Sequence, residues 1–333
     1  PARAGGLPGK DGRDFWDWVL APHRVEVALV MDKVKENRGL AAQGWGDTAA
    51  FDASSGTYSP ERAAVREQLL TETEAMLRYA LRLAPGELSI QRELAMVLDD
   101  GERPTAQAAL ERYLRDEVPD RVLPEARVRL ARWYARQGRD GDAIVQLRLA
   151  LGQAGGGEAA TRTTALVLLA SVYMNGGRLA EAIDLLASSA SGPQAGYYPV
   201  SLLPAFALAV AYDRDEQVTR AHETIARMVN GSQRPDALYY VLQDEYVRNP
   251  LVPAHERHYF AALQHELLGN LPEARTEWLA YARAPGAPYA ARARQHLIDV
   301  ERMMRERRRA PRERLPRPAP AAPVPQPPGW MGP

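Results

Sequence analysis

Apolar residues recur every three to four positions through most of the chain, which is the spacing of one face of an α-helix. A first helix is predicted at about residues 23–37 after a break at Pro22, followed by a long loop to residue 58 and by further helices to residue 309. Ser59 before Pro60 is typical of a helix start. No convincing alternation of apolar and polar residues marks a strand, so the pattern predicts an all-α protein.

One set of intervals inside these helices returns along the chain. The first set is Leu130, Ala131, Tyr134, Gly138, Ala143, Leu147 and Ala150. The same intervals, 39 residues later, hold Leu169, Ala170, Tyr173, Gly177, Ala182, Leu186 and Ser189. Further matches are Leu208, Ala209, Tyr212, Glu216 in place of glycine, Ala221, Ile225 and Met228, then Ala261, Ala262, His265, Gly269, Ala274, Trp278 and Tyr281. A looser copy, shorter in the turn, is Leu94, Ala95, Leu98, Gly101, Ala106, Leu110 and Tyr113.

These intervals suit a helical hairpin. Small residues let two antiparallel helices approach closely, and large residues fill the seam between them. Glycine supplies the turn conformation that a side chain with a Cβ resists. Each hairpin leaves an apolar edge that the next hairpin covers, so the repeats are predicted to stack.

On these residues the chain resembles the tetratricopeptide repeat (TPR) family over about residues 61–309. The resemblance implies a TPR-like solenoid of stacked antiparallel helix pairs over residues 59–309, ending in a charged capping helix. Residues 1–58 are predicted as an irregular or helical N-terminal extension, and the proline-rich residues 310–333 as a disordered tail. The interval before His265 contains an additional helix, so we expect an irregular superhelix.

The resemblance also implies a partner-binding groove lined by the first helix of each pair. The residues it places there are Arg92, Met96, Val128, Arg132, Arg136, Val167, Ser171, Asn175, Phe206, Val210, Arg214, Tyr259 and Leu263. The basic residues favour a ligand with an acidic portion, and the aromatic and aliphatic ones an apolar anchor. The tail could itself occupy this groove, because a tethered segment has a high effective concentration.

Composition narrows the chemistry. The 42 basic and 42 acidic residues cancel, which argues against a dedicated nucleic-acid or membrane-surface protein. The chain has no cysteine, and its longest apolar runs are too short to span a membrane. "HELLG" lacks the second histidine of a zinc-protease motif and "GQAGGGE" lacks the lysine of a phosphate loop. We therefore expect no enzyme, cofactor, metal or small-molecule substrate, although a metal at His255, His258 and His265 stays an alternative to packing.

Two groups of residues near the ends of the sequence each allow two interpretations. Phe15, Trp16 and Trp18 are expected to pack on the first helices, or alternatively to dock a partner. The run that includes Arg305, Arg308 and Arg309 reads as a solvated capping helix, or as a contact for an acidic partner, anionic lipid or nucleic acid.

The expected function is a non-enzymatic protein–protein interaction scaffold or adaptor whose partners are subunits of a larger complex. By analogy with TPR proteins that assemble pili or gliding-motility machines, we expect the periplasmic side of a bacterial cell envelope, with a cytoplasmic location as the alternative. Membrane contact is expected to be indirect or through a removed N-terminal anchor. The alternative function is a regulatory or polyanion-associated protein that uses the arginine-rich C-terminal helix.

Overall fold

A computed structural model describes residues 13–46, 51–52, 57–58, 60–117, 122–154, 158–190, 202–232, 237–242 and 250–309. Within these ranges the protein is almost wholly helical, which confirms the all-α prediction. The helices are α1 (Arg13–Gly46), α2 (Pro60–Leu83), α3 (Leu88–Asp100), α4 (Ala106–Asp116), α5 (Pro124–Arg136), α6 (Asp140–Gln153), α7 (Ala159–Asn175), α8 (Leu179–Ala190), α9 (Leu202–Arg214), α10 (Val218–Gly231), α11 (Ala237–Tyr240), α12 (Glu256–Leu267), α13 (Leu271–Arg283) and α14 (Ala290–Arg309). Two short strands, β1 (Phe51–Asp52) and β2 (Thr57–Tyr58), pair antiparallel with Phe51 opposite Tyr58. The sequence predicts a loop in this region and does not predict these strands.

The first helix is longer than its sequence predicts. The expected break at Pro22 and the expected end near residue 37 are both wrong, because α1 runs without interruption from Arg13 to Gly46. Val34, Asn37 and Ala41 are buried in the structure. Packing of this side of α1 keeps the chain helical after residue 37, where the glycine-rich composition favours a loop. In the described part of the chain, no helix is long and apolar enough to cross a membrane.

Neighbouring helices pack together in two ways. Each helix from α1 to α10 contacts the next one along the chain, and α12, α13 and α14 do the same. The alternate helices α3, α5, α7, α9 and α12 also contact one another in that order. The chain therefore builds helix pairs whose first members form a continuous row, here called the inner row.

The five predicted copies close with the same turn. Its last residue has a left-handed backbone with φ between 49° and 75° in Glu102, Gly138, Gly177, Glu216 and Gly269. The residue after it donates a backbone hydrogen bond back to the large residue of the helix, as from Arg139 N to Tyr134 O at 2.9 Å. Glycine adopts this conformation without a Cβ clash, whereas the two glutamates hold it at a cost.

The turn of the first copy lies one residue later than the sequence predicts. Gly101 has φ −91°, and Glu102 takes the left-handed conformation instead. Glu102 follows Leu98 by four positions, which is the interval between Tyr134 and Gly138. The shortened interval in this copy therefore lies after the turn, before Ala106.

The small residues of the repeat are buried in the core. Those of the inner row are fully buried, namely Ala95, Ala131, Ala170, Ala209 and Ala262. The alanines of the second helices, Ala106, Ala143, Ala182, Ala221 and Ala274, are also buried. A separate apolar cluster that includes Val34, Leu70, Leu77 and Ile90 joins α1, α2 and α3. The intervals in the sequence thus identify the core correctly.

Candidate partner-binding surfaces

Most of the residues predicted to line a groove are buried. The buried ones are Met96, Val128, Val167, Ser171, Phe206, Val210, Arg214, Tyr259 and Leu263, whereas Arg92, Arg132, Arg136 and Asn175 retain exposure. The buried residues therefore do not form an open binding surface, and this part of the prediction is wrong. Helix periodicity identifies the side of a helix on which a residue lies, but it does not say what covers that side.

An internal segment contacts the inner row at α7 and α12. Leu238, Val241, Leu242, Leu251 and Val252 are buried in the main apolar core. The segment that contains them is here called the cover segment; its described parts are residues 237–242 and 250–255. The part of the predicted groove at α7 and α12 is therefore covered by an internal segment of the chain itself. The tail expected to occupy it, residues 310–333, lies outside the described residues.

Side chains of the inner row hold the backbone of the cover segment. Ser171 Oγ donates a hydrogen bond to the carbonyl oxygen of Val252 at 3.0 Å, and Asn175 Nδ2 reaches the same oxygen at 3.4 Å. Gln264 Nε2 donates to the carbonyl oxygens of Leu238 at 2.7 Å and Tyr239 at 3.0 Å. Buried carbonyl groups require such partners, so these bonds fix both ends of the segment.

A fully buried ion pair lies beside the cover segment. Arg214 on α9 binds Glu256 on α12 through two hydrogen bonds, Nη1–Oε2 at 2.9 Å and Nη2–Oε1 at 3.0 Å. The guanidinium carbon of Arg214 also lies 4.3 Å from the ring centre of Tyr259 and 4.5 Å from that of Tyr289. Burial alone would lower the pKa of Arg214, but Glu256 outweighs it and raises the pKa. Arg214 is therefore a charged structural residue whose charge is neutralised inside the protein.

Next to this pair, Asp213 joins three helices. Its carboxylate accepts hydrogen bonds from Tyr259 Oη at 2.7 Å and from Arg292 Nη2 at 2.6 Å. Its Oδ2 atom also lies 3.0 Å from Nε2 of His296. Burial would raise the pKa of Asp213, but the hydrogen bond and positive charge of His296 outweigh it and lower the pKa.

His296 has a carboxylate at each ring nitrogen. Nε2 faces Asp213, and Nδ1 lies 3.0 Å from Glu266 Oε2, while the ring stacks on Trp278 at 4.4 Å between centroids. Burial would lower the pKa of His296, but hydrogen bonds to Asp213 and Glu266 raise it to about 9. The imidazolium form donates from both nitrogens, so it fastens α14 onto α9 and α12.

Three of the four arginines predicted to line the groove lie on α3 and α5, where their charges are neutralised. The cluster contains the arginines Arg38, Arg92, Arg129, Arg132 and Arg136 and the carboxylates Glu93, Asp99, Asp100, Glu102 and Glu125. We call it the α3–α5 ionic cluster. Its five arginines match its five carboxylates, so it has no formal excess charge.

Each predicted arginine in this cluster has a carboxylate partner. Arg132 Nη2 binds Oδ2 of the buried Asp99 at 2.7 Å, and Arg136 Nη2 binds Glu102 at 3.1 Å. Arg92 binds Glu93 at 3.0 Å. Burial would raise the pKa of Asp99, but Arg132 and Arg129 outweigh it and lower the pKa. The expectation that these arginines await a ligand's carboxylate is therefore corrected, because the chain supplies the carboxylates.

Three of the buried or partly buried acids occupy the same position in the repeat, which the predicted pattern did not include. Asp99, Asp213 and Glu266 each directly follow the large repeat residue in the last turn of an inner helix, namely Leu98, Tyr212 and His265. Asp99 binds α5, while Asp213 and Glu266 bind His296 on α14. An acid at this repeat position therefore connects an inner helix to a helix that follows later in the chain, which is α5 for Asp99 and α14 for Asp213 and Glu266.

Two of the three histidines considered for a metal contact different residues. His258 Nδ1 lies 2.6 Å from Glu277 Oε2, and the ring of His255 meets that of Tyr281 edge to face at 5.5 Å. Among the described residues, no group of three or more His, Cys, Asp or Glu side chains could hold a metal ion.

The two terminal sets of predicted docking residues lie on α1 and α14. Phe15, Trp16 and Trp18 belong to the start of α1, but their side chains lie outside the described part of the structure. Arg305, Arg308 and Arg309 are exposed at the end of α14 and make no ion pair or side-chain hydrogen bond to a described residue.

Comparison with protein-family models and with curated proteins finds no match for this chain.

Proposed function

We propose that the protein is a non-enzymatic scaffold, built as a TPR-like superhelix, that assembles a multiprotein complex at a bacterial cell envelope. The observation that carries the proposal is the same turn in five successive helix pairs, combined with contacts along the inner row. Stacked pairs of this kind present extended surfaces suited to other proteins.

The part of the inner row best placed to meet a partner is the α3–α5 ionic cluster. It retains exposure at Arg92, Arg136 and Glu102, whereas α7 and α12 contact the cover segment. The guanidinium of Arg136 lies 5.7 Å from the ring centre of Trp133, which holds it near an aromatic surface. Because the charges of the cluster are balanced, this surface suits a polar protein segment that carries both basic and acidic groups.

Site-specific photo-crosslinking in the native host tests this assignment. A photoreactive residue would replace Arg92 or Arg136 in two variants and the exposed Val145 on α6 in a control variant. We expect the same partner protein to crosslink at positions 92 and 136 and not at 145. Equal products at all three positions, or products at 145 alone, would contradict binding at the α3–α5 ionic cluster.

The proposed location is tested separately. Protease added to spheroplasts of the native host should digest the protein if it faces the periplasm, while a cytoplasmic marker survives. Digestion only after lysis of the inner membrane would place the protein in the cytoplasm and remove the envelope part of the proposal.

A further inference from the structure

The outer face of α14 carries arginines that pair with no residue in the described part of the chain. The helix contains seven arginines and three acids, and four of the arginines make no ion pair or side-chain hydrogen bond to a described residue. These four are Arg294, Arg305, Arg308 and Arg309, all exposed. The other three are held by Asp213, Asp299 and the carbonyl oxygen of Gly269, so the free positive charge is concentrated on one side.

An exposed apolar side chain lies among these arginines. Ile298 has 64% of its surface exposed. At 3.6 residues per turn, Ile298 and the four arginines fall within an arc of about 100° on the helix, over a length of about 22 Å. Glu301 lies in the same arc, where Arg275 on α13 neutralises its charge at 3.0 Å. We call Ile298 and the four arginines the α14 strip.

Helix stability explains only part of the strip. Basic residues in the last turn complement the negative end of the helix dipole, which accounts for Arg308 and Arg309. It does not account for Arg294 in the first turns, or for an isoleucine exposed between the arginines. Arg294 and Arg305 flank Ile298 along the helix, and Arg308 and Arg309 extend the positive charge to the end of the helix. This row of cations with one apolar side chain suits a docking face for an acidic, amphipathic segment.

We propose that the α14 strip binds an acidic amphipathic helix of a partner protein, with Ile298 as the apolar anchor. Carboxylates of the partner pair with the four arginines, and an aliphatic side chain covers Ile298. The strip lies on a different element from the α3–α5 ionic cluster, so either surface can fail its test without the other.

The chain's own ends do not suit the strip. Residues 310–333 contain Arg312, Arg314 and Arg317 against a single Glu313, and residues 1–12 contain Arg3 and Lys10 against Asp11. Like charge therefore disfavours both as occupants.

Two other anionic partners fit less well. A bilayer would receive only one large apolar side chain, which is too little for stable insertion. A nucleic-acid backbone is uniformly negative, whereas Glu301 and Glu306 lie beside the arginines and Ile298 offers phosphates no contact. Only a protein surface places an apolar group at Ile298 and spares the two glutamates.

Fluorescence anisotropy with a labelled peptide tests the proposal on the full chain. The probe is a helical peptide of about 15 residues, the length that spans the strip, with glutamates flanking a row of leucines. The comparison probes are a scrambled peptide of the same composition, a short DNA duplex and vesicles that contain phosphatidylserine. We expect the amphipathic peptide to bind at least about tenfold more tightly than each of the others.

Matched variants separate the strip from general charge. The triple variant R305A/R308A/R309A and the single variant I298S should each weaken peptide binding by about tenfold or more. The control R78A/R139A/R178A removes three exposed arginines that pair with nearby carboxylates, and V145S removes an isoleucine-like exposed side chain on α6. Neither control should change binding.

Several results would overturn the proposal. Binding that the controls reduce as much as the strip variants would show a general charge effect. Equal binding of the scrambled peptide, DNA or vesicles would show a polyanion or lipid site instead. Absence of peptide binding by a fully helical protein would remove the site altogether.

Discussion

Arg214 and Glu256 form a bidentate ion pair in which neither side chain is exposed to solvent. The pair joins α9 to α12 across the insertion that contains the cover segment. Its partners identify Arg214 as part of the structural core, although the repeat pattern placed this residue in a partner-binding groove. A buried charge that loses its partner is far more costly than an exposed one, so the pair has a measurable signature.

The variant E256Q should lower the free energy of unfolding by about 3–5 kcal/mol, because it leaves the Arg214 charge buried without its counterion. The double variant R214M/E256L replaces both charges with apolar groups and should recover much of this loss. Urea unfolding followed by circular dichroism measures both effects. The control D142N removes an exposed partner of Arg139 and should leave stability nearly unchanged. A double variant less stable than E256Q would contradict this account of the pair.

His296 should make stability depend on alkaline pH. Its pKa of about 9 in the folded protein lies above the ordinary value near 6.5, so its stabilisation is complete below pH 6.5 and is lost as pH rises through 9. The expected loss is about 3 kcal/mol. Among the groups near His296, the pKa of Asp213 is lowered, while those of Arg292 and Tyr259 are raised, so these three do not titrate in this window.

Unfolding of the wild type and of H296Q at intervals from pH 6 to pH 10 measures this contribution. The variant should be less stable than the wild type at pH 6 and should approach it at pH 10. Parallel pH profiles for the two proteins would show that the Asp213–His296–Glu266 contacts contribute nothing to the alkaline dependence.

The repeat intervals predicted the local structure well because they are set by contacts inside one hairpin. Ala131, Tyr134 and Ala143 are buried as expected, and Gly138 forms the left-handed turn. The occupant of the inner row could not be predicted in this way. The bond between Ser171 and Val252 joins residues 81 positions apart, and no periodicity within either segment specifies it.

The same limit applies to the charged residues. Arg132 looked available because its partner Asp99 lies on a different helix, 33 residues earlier in the chain. The acid near the end of three of the five inner helices was visible in the sequence, but its partner depends on how the helices stack. The repeat spacing therefore identified the arginines of the inner row, but it did not show whether carboxylates neutralise them.

Alanine substitutions of two nearby glycines, one in a turn and one in a helix, should change stability in opposite directions. Ala in place of Gly138, at φ 70°, must adopt a left-handed backbone, so G138A should lower the free energy of unfolding by about 1–2 kcal/mol. Gly141 lies inside α6, and an added Cβ meets nothing within 4 Å there. G141A should therefore raise stability by about 0.5–1 kcal/mol.

Glu216 provides the complementary test, because it holds the turn conformation at φ 58° without being glycine. E216G should raise the free energy of unfolding by up to about 1 kcal/mol, since relief of backbone strain exceeds the added entropy of the unfolded chain. Thermal and urea unfolding of the three variants measure the differences. A destabilised E216G together with an unaffected G138A would mean that the left-handed turn does not limit stability.

The cover segment should loosen locally when its hydrogen bonds are removed. Gln264 donates to two carbonyl oxygens, so Q264A should lower the free energy of unfolding by about 1–3 kcal/mol and increase amide exchange at residues 237–242. S171A removes the bond to Val252 and should increase exchange at residues 250–255. Hydrogen exchange read by mass spectrometry resolves these ranges from α5 and α6, whose exchange should stay constant.

The control T276A removes an exposed hydrogen bond within α13 and should alter neither range. A uniform increase in exchange throughout the protein would show that these bonds support the whole fold instead of the cover segment. Unchanged exchange in both variants would mean that apolar packing of Leu238, Leu251 and Val252 holds the segment alone. A local increase would show that the inner row binds a stretch of its own backbone through side chains, and that the surface left for partners lies elsewhere.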